Sequence, residues 1–307
     1  MKAVKIISVV LAMCLCFLSF CACSSNETAL TVSSTPVSKE IYGYFFSVAV
    51  NSEDYKNEEN KQELAGRLCA EYVAGCELIK KHGVQLSAEE KVAVSSEIKT
   101  KWQMFSSFYK KYSVSKQTFC TMLEHEKLID VLVEKLYSQG GERELSDDEI
   151  KGFFNQNYIA AKIAFTPFDS LMTEEDVKSI TEKYSSLSSI VRAGGDFSSA
   201  VQQYPDLAEY EDTEHLISAF DSSYPAEMFG EMVKMKNGEV HVLRFSRGIY
   251  LIQKADNSQF YDAYKTKCIV KMKKAEVLKE LSETAESSKL EYNSAAVKSV
   301  LSSAGVK

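Results

Sequence analysis

Apolar side chains recur at helical spacing in two separated stretches of this chain, 41–136 and 261–281, with strand-patterned sequence between them. Leu64, Leu68, Tyr72, Cys76 and Ile79 follow one helical face. Tyr261, Tyr264, Cys268, Met272, Ala275, Leu278 and Leu281 follow another. A lone helix cannot bury its own apolar stripe and needs a second surface. The economical solution packs the C-terminal helix back onto the N-terminal helices, with the middle segment inserted between. The pattern therefore predicts an α+β fold: a mainly helical domain interrupted by a small antiparallel sheet with its own helices.

Punctuation sets the element boundaries. Ile41, Phe45 and Val48 make a short first stripe. Lys80, Lys81 and His82 close the next helix before Gly83, as cations suit the negative end of the helix dipole. Ser87-Ala88-Glu89-Glu90 is a capping box ahead of Val94, Ile98, Phe105, Tyr109 and Tyr112. Ser115 can cap a helix carrying Phe119, Leu123, Ile129, Leu132 and Leu136, which Gly140-Gly141 breaks. A second capping box, Ser146 to Glu149, opens a short helix.

The middle then changes texture. Residues 159–166 read as a strand that stops at Pro167. Thr173 opens a helix that Gly194-Gly195 closes, and shorter helices span 197–204 and 224–235. Residues 240–245 and 249–253 form two strands around Arg247-Gly248. The acid run 209–214 is expected to be a solvated loop.

The N-terminus carries a basic head, Lys2 and Lys5, and an apolar run from Ile6 to Phe20 that ends in Cys21-Ala22-Cys23-Ser24. That is the anatomy of a secretory signal. The cysteine after Ala22 makes it resemble a bacterial lipoprotein signal, with lipidation expected on Cys23. Phe20 stands where an aliphatic residue is usual, and a cut before Cys21 would place that bulky ring at the cleavage site. The expected localisation is a cell membrane, lipid-anchored on its extracytoplasmic face. Removing 1–22 removes two lysines and no acid, so the formal charge moves from -7 to -9. An acidic chain without a basic block argues against nucleic acid as a partner. Residues 24–36, rich in Ser and Thr, are expected to be a tether.

Beyond Cys23 the chain holds Cys69, Cys76, Cys120 and Cys268. Cys69 and Cys76 are spaced about 10.5 Å along one helix, beyond the ~7 Å that a disulfide spans. Four small apolar thiols are the simple reading. His125-Glu126 lacks a second histidine at metal-ligand spacing, and no phosphate or dinucleotide fingerprint is present. No cofactor and no metal is expected.

Four motifs in the middle segment carry a family resemblance. They are Leu145 to Lys151 with Phe154 and Asn157; Gly194-Gly195-Asp196-Phe197 with Ala200; Met235 to Val240; and Gly248-Ile249-Tyr250-Leu251-Ile252. In order and spacing they resemble PrsA-type foldases and the related SurA-like chaperones, in which a parvulin-type prolyl isomerase module interrupts a helical chaperone domain. The resemblance covers nearly the whole chain after the signal. It implies a helical domain at 37–157, a parvulin-like domain at 158–256 and a returning C-terminal helix and tail at 257–307. It also implies unfolded or newly exported polypeptides as partners.

The departures bear on activity. Lys162 and Tyr250 stand where the resemblance expects two histidines, and the family's "GDLG" segment is not recognisable between Asp206 and Phe220. Lys162 and Tyr250 are therefore the candidate catalytic positions. Tyr224, Met228, Phe229 and Phe245 are candidates for a proline pocket. A hydrated ammonium and a phenol cannot reproduce a neutral imidazole pair. The expectation is an anchored folding helper with an inactive isomerase-like module. Its rivals are a divergent active isomerase and an envelope lipoprotein dedicated to one partner.

Overall fold

The computed structural model describes residues 27–305. Cys23 and its flanks lie outside the described residues. Among those described, no helix is long and apolar enough to cross a membrane. The chain divides into two compact units. Among the described residues, one comprises those up to Glu144 together with Val270 onwards; the other is Leu145–Ile269.

The first unit begins with strands β1 (Thr28–Val32) and β2 (Thr35–Ser38), joined by a tight turn in which Ser33 takes φ 55. This corrects the expected tether: Ala29, Leu30, Val32 and Val37 are buried in the core. Leu30 and Val32 alternate along β1, and a register shift between Thr28 and Leu30 accompanies the burial of the adjacent Ala29, a pattern that composition alone conceals. β8 (Leu290–Tyr292) completes the sheet in the order β2-β1-β8.

Helix α1 (Lys39–Asn51) follows directly, and the Ser38 hydroxyl accepts from the Ile41 N–H. The stripe Ile41, Phe45, Val48 is only half buried, whereas Tyr42, Tyr44, Phe46 and Ala49 are buried. α1 is thus a central helix packed on most of its faces. Gly43 permits this: a Cβ there would sit 2.0 Å from the Tyr112 carbonyl oxygen. Around it lie α2 (Lys61–Lys81), α3 (Ala88–Lys111) and α4 (Lys116–Tyr137). Fully buried Phe119, Leu132 and Leu136 anchor α4, each contributing about 1.5–3 kcal/mol by burial.

Past Ile98 the buried side of α3 follows Trp102 and Tyr109, and Phe105 is left outside at 46% exposure. In the C-terminal half of helix α9 (Tyr261–Glu286), the buried positions are Val277, Leu281 and Ala285. Ala275 is exposed and Leu278 half exposed, so the expected stripe holds only at some positions. α10 (Ser294–Ser303) closes the chain and buries Ala296, Val297 and Val300.

The second unit opens with α5 (Asp147–Asn157), capped by Ser146 and Glu149 as a reciprocal box. α5 clusters with this unit, although the sequence reading put residues 145–157 with the N-terminal helices. Its sheet contains β3 (Tyr158–Pro167), β4 (Glu209–Tyr210), β5 (His215–Ser218), β6 (Val240–Phe245) and β7 (Gly248–Ala255). The order is β4-β3-β7-β6, with β5 pairing the first part of β3. Two strands therefore arise within and beside the acid run that was expected to be loop.

Successive side chains of a strand point to opposite faces. Ala164, Ile249 and Leu251 face α6 (Glu174–Arg192) and α7 (Phe197–Val201). Ile159, Ile163, Tyr250 and Ile252 face α8 (Ala226–Lys234). Cys69 and Cys268 are buried, Cys76 and Cys120 half buried, and no disulfide joins any of the four.

Candidate functional site

A cleft of about 300 Å³ lies in the second unit between the start of α8 and the β6–β7 hairpin. Tyr224, Pro225, Phe245, Arg247 and Tyr250 line it, with Glu227 and two serines. The hairpin positions its half. Phe245 pairs with Gly248 across a two-residue turn, where a Cβ on Gly248 would sit 2.4 Å from the Phe165 ring. Pro225 is the residue just before α8, at φ -56 and ψ 136, and its ring fixes φ where the chain enters the helix.

The floor is aromatic. Phe165 and Tyr250 are directly paired neighbours on β3 and β7. Their ring centroids are 4.4 Å apart and their planes 23° from parallel. Phe245 meets Tyr250 edge-on at 5.8 Å. Burial raises the Tyr250 phenol, and the nearby Tyr224 adds to that; burial likewise raises Tyr224. Both therefore hold their protons at neutral pH.

The structure brings three of the proposed residues, Tyr224, Phe245 and Tyr250, to this cleft. Met228 is fully buried and packs beneath it with Met232 against Ile163 and Ile252. Phe229 is partly buried against that same core and is not a wall of the cleft.

Lys162 is a correction. It sits one residue from Ile163 on β3, so it points to the other face of the sheet from Tyr250. Its Nζ pairs with Asp212 at 3.3 Å. Asp212 also accepts from the Tyr210 hydroxyl at 2.8 Å and from Ser198. These donors lower the Asp212 carboxyl, Ser198 first. Lys162 thus helps secure the segment after β4, and the β3 residues that follow it on Tyr250's face are Ile163 and Phe165. The residue that sequence reasoning missed is Lys254. Its Nζ donates to the carbonyls of Met232 and Met235 at 3.1 and 2.8 Å, capping the end of α8 away from the cleft.

In the first unit, α3 leaves Val92, Met104 and Phe105 at 71%, 67% and 46% exposure. These are the most accessible apolar side chains of that helix.

No family model matches the chain, and no curated protein matches it. Among solved structures it is similar to the foldase protein PrsA from Streptococcus pneumoniae, at 16% identity and TM-score 0.43, over 82% of this chain and 95% of that one. It is similar to PrsA from Lactococcus lactis at 13% identity and TM-score 0.43, over 90% and 98% of the two chains. A SurA-like chaperone structure from Campylobacter jejuni is 16% identical, with TM-score 0.31, over 88% of this chain and 100% of that one. The solved structures to which this chain is similar thus include PrsA foldases and a SurA-like chaperone.

Proposed function

We propose that this chain is a folding helper for exported polypeptides, held at the extracytoplasmic face of a membrane by a lipid on Cys23. In this reading the helical unit holds clients, and the sheet-containing unit binds peptide without isomerising it. The observation that carries the second half is the stacked pair of Phe165 and Tyr250 under the cleft.

Prolyl isomerisation breaks no bond; it rotates a partial double bond over a barrier of roughly 18–20 kcal/mol. A catalyst must hold the ring in an apolar pocket and favour the twisted amide with preorganised polar groups. Here Tyr224, Pro225 and Phe245 give the cleft apolar walls on one part, Glu227, Arg247 and two serines line the rest, and beneath Tyr250 lie the Phe165 ring, Met228 and Met232. Histidines His215 and His241 belong to the same unit and neither lines the cleft. The anchor follows from the Ala22-Cys23 signal, and client holding from the exposed Val92, Met104 and Phe105, which form adaptable apolar contacts.

The deciding experiment pairs two assays on one sample. A protease-coupled assay on a proline tetrapeptide should show no acceleration over the thermal rate at micromolar protein. An aggregation assay on an unfolded client should show suppression, weakened by Met104→Glu with Phe105→Glu. Full suppression by that double variant would remove α3 from the client surface. Loss of lipid label in Cys23→Ser is expected, and retention would move the anchor.

One observation favours the rival reading of an active isomerase. The phenols of Tyr224 and Tyr250 and the guanidinium of Arg247 meet at one cleft. Measurable catalysis lost in Tyr250→Phe would establish it.

A further inference from the structure

The helical unit also contains an apolar hollow of about 220 Å³ among α1, α2, α4 and α9. Phe45, Tyr72, Ile129 and Leu281 form its walls, and Leu278 stands at its rim with 45% exposure. Protein cores are close-packed, and an unfilled apolar surface forfeits dispersion contacts. An open apolar hollow rimmed by polar side chains is the signature of an interaction site. Its size selects the guest. Sites for whole small molecules run about 300–1,000 Å³, so this one suits a single large side chain.

One wall is an imidazole. The His125 ring lies 4.6 Å from the Tyr72 ring between centroids, and its Nε2 is hidden without a hydrogen-bond partner. Burial pushes this imidazole down to about 4, against a hydrogen bond to the Tyr72 backbone that works in the other direction. The wall is therefore uncharged at neutral pH.

The rim is not. Glu71 and Glu126 both border the hollow. Each is held by a hydroxyl: Glu126 accepts from Tyr44 at 3.2 Å, and Glu71 from Ser282 at 2.9 Å. Lys274 also lines the hollow and Lys101 acts on Glu126 from nearby, but both cations are engaged with other acids. Lys274 lies 2.7 Å from Asp130, an ion pair without hydrogen-bond geometry, and Lys101 pairs with Glu97 at 2.6 Å. With Lys274 paired to Asp130, the carboxyls of Glu71 and Glu126 remain as the acceptors at the mouth, and a guest beside a cation would complement them.

We infer that this hollow is a binding site for one large apolar side chain carried next to lysine or arginine on an extended polypeptide. The inference rests on the reading of the chain as a folding helper, and it adds where in the helical unit a client segment is gripped and which segments are preferred.

The test uses the full chain and two fluorescein-labelled peptides. Both carry one Phe in a Gly/Ser background, flanked by Lys in one and by Glu in the other. Fluorescence anisotropy should give at least about tenfold tighter binding for the Lys-flanked peptide at low salt, and the gap should narrow at high salt. Glu71→Gln with Glu126→Gln should bring the ratio towards one. Leu278→Ser, a rim change at a half-exposed position, should weaken the Lys-flanked peptide severalfold. Replacing the peptide's Phe by Ser should abolish binding. Equal affinity for the two peptides, or a preference untouched by the paired glutamine changes, overturns the inference. The aggregation assay on the same protein separates the two readings. Suppression without peptide preference leaves the folding helper standing and removes the hollow. Peptide preference without suppression does the reverse.

Discussion

The ring of Tyr250 stacks on that of Phe165, with centroids 4.4 Å apart, beneath the cleft of the sheet-containing unit. The two residues are directly opposed on neighbouring antiparallel strands. A cross-strand aromatic pair contributes about 0.5–1.5 kcal/mol beyond its area. Tyr250 is only 5% exposed, so truncation empties a packed site. Tyr250→Ala should cost this unit about 3–5 kcal/mol, and Tyr250→Phe less than about 1 kcal/mol. Denaturant unfolding followed by near-UV signal measures both. A large cost for the phenylalanine variant would mean the hydroxyl has a structural role.

Lys162 provides the matching control. Because it lies on the face opposite Tyr250 and pairs with Asp212, Lys162→Met should leave peptide binding at the cleft unchanged. Titration of a labelled proline peptide into both variants checks this. A loss comparable to that of Tyr250→Ala would place Lys162 in the cleft's working parts after all.

Two glycines in the helical unit should respond differently to alanine. At Gly43 the added Cβ meets the Tyr112 carbonyl oxygen at 2.0 Å, and that oxygen belongs to backbone. Gly43→Ala should destabilise the unit by about 3 kcal/mol or more. At Gly66 the obstacle is the hydroxyl end of Tyr292, a side chain 42% exposed and able to swing aside. There the helix preference for alanine, about 1 kcal/mol, offsets most of the cost. Thermal midpoints of the two variants should separate widely, and equal losses would contradict the packing described.

Lys254 should matter more than its place on the last strand suggests. Its ammonium is drawn into the end of α8, and burial lowers its pKa. Lys254→Met would leave the Met232 and Met235 carbonyls without this donor, at a cost of about 1–2 kcal/mol. Faster amide exchange over the last turn of α8 is the specific readout. Unchanged exchange there would show that the cap carries little weight.

Stability of the helical unit should fall in mild acid. Burial holds His125 near 4 in the folded chain against 6.5 for the free side chain. Between those values the unfolded chain binds more protons than the folded one, so stability falls as pH drops through that window. From pH 8 to pH 5 the loss from this residue is about 2 kcal/mol. Glu126 has the opposite sign. Burial raises its carboxyl, so its contribution is present at low pH and lost as pH rises. The comparison is therefore wild type against His125→Gln, which should flatten the acid limb of the stability profile. Parallel profiles would exclude His125 as its source.

Much of the fold could be read from the chain, because its signals are local. The two capping boxes at Ser87 and Ser146 use side chains within one turn of the helix they start, and both are present. The strand over 159–166 and the hairpin around Arg247-Gly248 depend on alternation and a turn, and both recur in β3, β6 and β7. What failed depended on distant partners. Residues 28–36, within the expected tether 24–36, read as tether because β1 has, besides its neighbour β2, a pairing strand at Leu290–Tyr292 more than 250 residues away in the chain. The short β4 and β5 escaped notice because two to four residues carry no periodicity, and β3 is the strand with which both pair.

The sequence by itself determined the helix starts and stops, the α+β order, and the aromatic side chains available to the cleft. Those features follow from periodicity and capping over a few neighbouring residues. Only the tertiary structure decided that Lys162 and Tyr250 occupy opposite faces of one sheet, that Tyr250 stacks on Phe165, and that Glu71 and Glu126 meet at one apolar hollow. A one-residue step along a strand reverses a side chain's direction, and only the pairing register shows which residues share a face. Contacts between helices far apart in sequence arise from packing, which no local pattern encodes.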